Sequence, residues 1–346
     1  MKHIFRPIIL LCLVIPLAFS CVQETPGVLN ETIYVRHEGA DMPAYVHGNA
    51  SEKVFILVVH GAGSFGLAFR SGTFTSELEK RYAVVYWDQR GQSMSQGHYS
   101  KPEDIISLMA DDMMALVQVL RFKYGEDIKL FVLGHSWGGA LSATALIDPV
   151  NQSLITGWIE MDGAHDFRLA GTARRRLILN TAAEQIALGN QPEAWEEIQT
   201  TVTGLDSLPG DDYREMLRQA QQAVRLLVED DQAEPSAISS EELSRTVFEN
   251  NPITWKVSDL FNKPFIYARD IDYSVSDQLA QIRIPSLLLW GKYDISVPPT
   301  VGYDAYRRLS SSDKKLVIFD RSVHHPYDTE KDLFAAEVID FVERVK

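Results

Sequence analysis

IKLFVLGHSWGGALSATALI, residues 128–147, reads as a buried strand, an abrupt turn and a helix. IKLFVL is an apolar run of strand length, and ALSATALI is rich in helix formers. Between them a serine stands among glycines in GHSWGG, Gly134 to Gly139. Glycine lets the chain bend sharply and leaves no side chain to block the neighbouring strand and helix. Such a turn would lift Ser136 Oγ above a sheet edge. It would also aim the backbone N–H of Trp137 at a reacting carbonyl, at the amino end of a helix whose dipole favours developing negative charge. The pattern G-x-S-x-G is weak alone; its place between a strand and a helix is what marks a nucleophile.

A serine hydroxyl attacks poorly at neutral pH unless a base takes its proton and a carboxylate orients that base. SLLLWGKYDISVPP, residues 286–299, puts Asp294 in the loop after an apolar strand, and KLVIFDRSVHHPYD, residues 315–328, puts His324 and His325 in the loop after the next. Both loops would open at the carboxyl edge of a parallel sheet, where ligands bind in open α/β folds.

The rest of the chain supplies that sheet. ETIYVRHE and MPAYVHGN alternate like an antiparallel pair, and VFILVV, YAVVYW and LITGWIEM are further strand candidates. EDIISLMADDMMALVQVLRFKYG repeats its apolar residues at helical spacing and stops at Gly125, and a final amphipathic helix starts near Glu330. Val-, Ile- and Leu-rich strands alternating with helices predict an α/β fold with a mainly parallel sheet covered on both faces. From about Phe167 to Ser276 the rhythm breaks into charged segments of helical period such as ARRRLILNTAAEQIALG. The predicted organisation is a core of residues 21–166 and 277–346 with an all-helical cap, 167–276, inserted between two strands.

Composition narrows the function. With 45% hydrophobic and 23% charged residues the 346-residue chain is ordinary globular material, and 33 basic against 47 acidic residues, net −14, do not suggest a nucleic-acid surface. The run Arg174-Arg175-Arg176 reads as a solvated helix face rather than an anion site, and Glu193, Glu196 and Glu197 around Trp195 read as an exposed acidic helix face, the alternative being a site for a ligand's amine. The histidines are scattered and no H-E-x-x-H or phosphate loop is visible, so neither metal nor cofactor is expected. At the amino terminus Lys2 and Arg6 precede a short apolar stretch, Ile8 to Phe19, broken by Pro16, which predicts an export signal over residues 1–20. LAFSC resembles a bacterial lipoprotein signal with Cys21 as the lipidated first residue, which would hold the protein on a cell-envelope membrane; the alternative is an ordinary signal cleaved nearby. Once Cys12 leaves with the signal no intramolecular disulfide is possible.

HGAG at 60–63, WDQRGQSMS at 87–95, GHSWGG, GKYDISVPP and SVHHP together resemble the α/β-hydrolase superfamily over nearly the whole mature chain, and DQRG with a tryptophan after the serine is similar to its prolyl aminopeptidase branch. The order Ser, Asp, His is that superfamily's. The resemblance implies Ser136 as nucleophile, Asp294 as acid, His324 as base with His325 as its neighbour, and the N–H groups of Ala62 and Trp137 as oxyanion donors. It implies supporting roles for His60, Asp88 and Arg90, the last two through local hydrogen bonds. Asp162, after LITGWIEM, is an alternative acid, but the loop around Asp294 is nearer the family's. HGAGS stands where the branch shows HGGPG, and Ser93 stands where it shows a further glycine. The expected activity is therefore aminopeptidase action on short peptides through an acyl-enzyme, with a carboxylesterase of small acyl esters, or a ligand receptor without catalysis, as alternatives.

Overall fold

One nine-stranded sheet organises the computed structural model, which describes residues 27–71, 73–97, 104–206, 212–236 and 272–346. Its strands are β1 (Val28–His37), β2 (Ala40–Asn49), β3 (Val54–Val59), β4 (Ala83–Trp87), β5 (Gln96–Gly97), β6 (Lys129–His135), β7 (Gly157–Met161), β8 (Ser286–Gly291) and β9 (Lys314–Phe319). They lie in the order β1-β2-β4-β3-β6-β7-β8-β9, with β5 beside β2. β1, β2 and β4 pair antiparallel, and every pair from β4 to β9 is parallel. The chain steps from β3 to β4 on one side and to β6 on the other. That reversal opens a crevice beyond the carboxyl ends of β3 and β6.

The helices are α1 (Thr73–Glu79), α2 (Ile105–Tyr124), α3 (Trp137–Leu146), α4 (Pro149–Gln152), α5 (Phe167–Leu188), α6 (Pro192–Thr203), α7 (Tyr213–Glu229), α8 (Pro299–Arg308), α9 (Pro326–Thr329) and α10 (Lys331–Val345). Local chemistry sets their ends. Asp104 accepts the Ser107 N–H (3.0 Å) to start α2, and Gly125 ends it with φ +116°.

Both sheet faces are buried, which is why the central strands are continuously apolar. Phe55, Leu57 and Val59 of β3 join Met109, Met113, Leu116 and Leu120 of α2 on one face. Ile56 and Val58 join Phe334, Val338 and Phe341 of α10 on the other. Each such large apolar side chain gains about 1.5–3 kcal/mol on full burial.

Between β7 and β8 the described residues contribute α5, α6 and α7. Their own core comprises Ile178, Trp195, Ile198, Met216, Ala223 and Leu227, and it also takes in Tyr293 and Ile295 from the loop after β8. The two ends of the insertion are sewn together. Phe167 N–H donates to the Tyr273 carbonyl (3.0 Å), Val275 N–H donates to that of His165 (2.9 Å), and Ser274 and Ser276 hydroxyls both donate to Asp166 Oδ2 (2.6 and 2.9 Å).

The arginine run corrects the sequence expectation. Only Arg176 is exposed; Arg174 is buried and donates to the carbonyls of Ile295 and Ser296, both at 2.7 Å. Arg175 donates to the carbonyls of Val202, Thr203 and Leu205 at the end of α6, satisfying acceptors that a helix end leaves open. Glu193, Glu196 and Glu197 do lie on the exposed side of α6, opposite buried Trp195 and Ile198. The export segment 1–20, Cys21 and residues 237–271 of the insertion lie outside the described residues. No helix among the described residues is long and apolar enough to cross a membrane.

Candidate active site

Ser136 sits where β6 becomes α3, with φ +53°, in the left-handed region that non-glycine residues enter at a cost. Packing demands the neighbouring glycines. A Cβ on Gly138 would stand 1.9 Å from the Val59 carbonyl oxygen, and one on Gly139 would stand 2.5 Å from Gly163 Cα. The bend is held by the Ser136 N–H, which donates to the Met161 carbonyl (3.0 Å), and by Ala164 N–H donating back to the Ser136 carbonyl (2.9 Å). Ser136 is only part-buried while the residues on either side of it are buried.

The loops after β8 and β9 meet at the same edge. Gly291 permits it, since a Cβ there would stand 1.8 Å from the Val323 carbonyl oxygen. His324 Nδ1 and Asp294 Oδ2 are 2.8 Å apart. With the hydrogen on Nδ1, Nε2 keeps the lone pair that can accept a proton. The other carboxyl oxygen of Asp294, Oδ1, accepts the N–H groups of Ser296 (2.8 Å) and Val297 (2.9 Å). Burial holds the His324 imidazole below the ordinary histidine range; the neighbouring Asp162 carboxyl opposes this and the Arg174 guanidinium adds to it.

His135 ties this loop to the serine. Its Nε2 lies 3.0 Å from the His324 carbonyl oxygen and so carries the hydrogen, and its ring is 4.8 Å from that of His324. Burial keeps His135 neutral, its pKa well below the usual value. His325 is exposed, with its ring 5.3 Å from His135 and 5.2 Å from His324.

On the other side of the serine stands the loop after β3. A Cβ on Gly61 would be 3.2 Å from Ser136 Cβ, which places this loop against the serine, and Ala62 follows it in an exposed position. His60, fully buried, shares a hydrogen between Nδ1 and the Gly61 carbonyl (2.8 Å), while the Gln89 amide donates to the His60 carbonyl (2.7 Å). Asp88 accepts the N–H groups of Gly66 (2.9 Å) and Met94 (3.2 Å) and the Tyr45 hydroxyl (3.2 Å). Burial pushes its carboxyl up to about 6 against those donors. Arg90 reaches further than local bonds: it forms a two-pronged pair with Asp112 of α2 (2.7 and 2.6 Å) and caps the carbonyls of His37 and Glu38 (3.0 and 2.9 Å). DQRG therefore clamps the β1–β2 hairpin, α2 and the loop after β3 together.

Two residues gain importance that the sequence reading did not give them. Arg174 pins the Asp294 loop from α5. Asp162, fully buried, comes with His135 and His324 into a group whose ligand-type atoms lie within 4.8 Å of one another. Sequence separation hid this convergence. His324 Nδ1 is engaged with Asp294, His135 Nε2 with a carbonyl and Asp162 Oδ1 with the Gly291 N–H (3.0 Å), so each of the three is tied into the polar network through one of its two polar atoms.

A serine on a strained strand-to-helix turn at the switch point of a mostly parallel sheet, with a histidine–aspartate pair at the same edge, defines a serine hydrolase of the α/β-hydrolase fold. The chain belongs to the family described as serine aminopeptidase, S33, which it matches over residues 50–332. It is similar to a proline iminopeptidase of Saccharolobus solfataricus, 25% identical over 264 residues that cover 76% of each chain. It is 22% identical over 302 residues to the probable aminopeptidase YbaC of Bacillus subtilis, covering 84% of this chain and 89% of that one. The solved proline iminopeptidase of Mycobacterium smegmatis shares the fold at a TM-score of 0.60 and 19% identity, over 91% of this chain and 98% of that one.

Proposed function

We propose that the protein is an exported aminopeptidase that removes an N-terminal residue from short peptides through an acyl-enzyme on Ser136. The observation that carries the acyl-enzyme part of this reading is the 2.8 Å contact of His324 Nδ1 with Asp294 Oδ2 beside the strained serine turn. His324 Nε2 takes the Ser136 proton as Oγ attacks the carbonyl carbon. The N–H groups of Ala62 and Trp137 receive the oxyanion. The imidazolium then protonates the leaving amine, and water repeats the cycle. Residues 167–276 act as a cap over the site. Residues 1–20 serve as the signal and Cys21 as the lipid attachment point.

The family and the two aminopeptidase relatives support a peptide substrate. Carboxylester hydrolysis uses the same residues and is the second reading, since a serine nucleophile and an oxyanion site do not distinguish an amide from an ester. A paired assay separates them: a prolyl arylamide with a free amine, its N-acetylated form and a short-chain aryl ester, each with the native chain and Ser136→Ala. Amide cleavage lost on acetylation and in the variant is the expected result. Turnover of the ester alone would replace the peptidase reading with the esterase one.

A further inference from the structure

Asp162 ends β7 as Ser136 ends β6, in the left-handed region, with φ +47°. Such strain in a non-glycine residue persists only where the surroundings enforce it, and it concentrates at working sites. The Asp162 N–H donates to the Leu289 carbonyl (2.9 Å), and Oδ1 accepts the Gly291 N–H (3.0 Å). Oδ2 is buried and meets no N–H or O–H among the described residues. What Asp162 faces instead is the His324–Asp294 pair: one of its carboxyl oxygens lies within 4.8 Å of a His324 ring nitrogen, His324 Nδ1 holds Asp294 Oδ2 at 2.8 Å, and the two carboxyls, equally buried, come together there.

Two ionised carboxylates are acceptors only, so such a contact is repulsive unless one of them keeps a proton. The partners decide which. Asp294 receives two backbone N–H groups on Oδ1 and the His324 ring on Oδ2, whereas Asp162 receives one N–H group in all. The better-solvated carboxyl holds the charge.

We propose that Asp162 is a neutral carboxylic acid whose O–H donates to ionised Asp294, and that it becomes the carboxylate partner of His324 when Asp294 is removed. Asp162 is a positioning residue: it acts on His324 through Asp294. The role rests on reading Asp294 and His324 as the acid and base of the reaction. The pair then carries one negative charge, matching the single positive charge that the imidazolium develops. By donating to Asp294, the Asp162 O–H also lowers the basicity of that carboxylate, which keeps the proton on the imidazole. The groups facing the pair are His324 after β9, His135 at the end of β6, Tyr327 in α9 and Arg174 from α5. Burial is the largest influence on both carboxyls and raises both, and the charge of Asp294 raises Asp162 further. The two titrate as a unit.

Infrared spectra of the full chain at pH 8, where Asp88 is ionised, test the proton directly. The expected result is a protonated-carboxyl stretch that shifts in D2O and disappears in Asp162→Asn; identical spectra would overturn the proposal. Kinetics test the reserve role. Asp294→Asn should retain turnover that falls at least about tenfold further in Asp162→Asn/Asp294→Asn, and a double variant no weaker than the single would overturn it. Asp162→Asn, whose amide still donates, should exceed Asp162→Ala in kcat, and equal values would count against the hydrogen bond. Should Asp162→Ala fail to fold, the spectra and the Asn variants suffice. Loss of the Asp162 signatures in an enzyme that still acylates Ser136 sinks this inference alone, whereas absence of acylation sinks the reading beneath it.

Discussion

As the proposed base, His324 must be neutral to take the Ser136 proton, and its burial favours that state. Activity should therefore rise with pH through a midpoint below 6.5, because protonation at lower pH removes the base. A kcat/KM profile checks this, and an ascending limb centred above 6.5 would contradict it. His60 offers a stability counterpart. It is fully buried and its pKa lies at about 4, so its contribution is complete above the ordinary value near 6.5 and is lost as pH falls toward 4, by up to ~3 kcal/mol. His60→Gln removes that titration. The stability advantage of the native chain over the variant, measured by urea unfolding, should shrink by about that amount between pH 7 and pH 4. A gap that stays constant would mean that the native chain accommodates the charged ring.

At the scale of elements the buried pair of Arg90 and Asp112 joins the DQRG turn to α2 with no exposure of either side chain. Asp112→Ala leaves that guanidinium without its partner and should cost about 3–5 kcal/mol in chemical denaturation. Arg174→Ala frees the carbonyls of Ile295 and Ser296 and lets the Asp294 loop move. Displacement of the acid by about 1 Å is enough to lower kcat by as much as about 10²-fold, and a variant with native kcat would show that Tyr293 and Ile295 hold the loop unaided. These contacts mark what the sequence could not disclose. The strands were legible because a sheet buried on both faces needs uninterrupted Val, Ile and Leu, and α2 was legible from its apolar spacing and Gly125. The serine turn was legible because packing against Val59 and Gly163 leaves room only for glycine at positions 138 and 139, which writes the turn into the sequence as a pattern. α1 and α8 were not, since GTFTSELE and PTVGYDAYRR each offer few apolar positions. Arg174 looked solvated because its partners stand 121 and 122 residues away. Asp162 looked secondary because its contact with Asp294 exists only once β7 and β8 pair.

The whole molecule places the acid and base of the proposed reaction on two loops at one edge of the sheet: the Asp294 loop packs into the helical insertion through Tyr293 and Ile295, and the His324 loop touches that same core through Val323 and leads through Tyr327 into the core shared with α10. The proposed export and anchoring are tested on the native chain, where Cys21→Ser should move the activity from the membrane fraction to the soluble fraction without lowering kcat; activity equally soluble in both forms would remove Cys21 as the anchor. The central claim is that Ser136, driven by His324, forms a covalent acyl-enzyme. Treating the folded protein with a fluorophosphonate and mapping the adduct by mass spectrometry tests it most directly. One adduct on Ser136, absent in Ser136→Ala and formed far more slowly in His324→Ala, is the predicted result; a folded protein that takes no adduct, or takes it at another residue, would contradict the account.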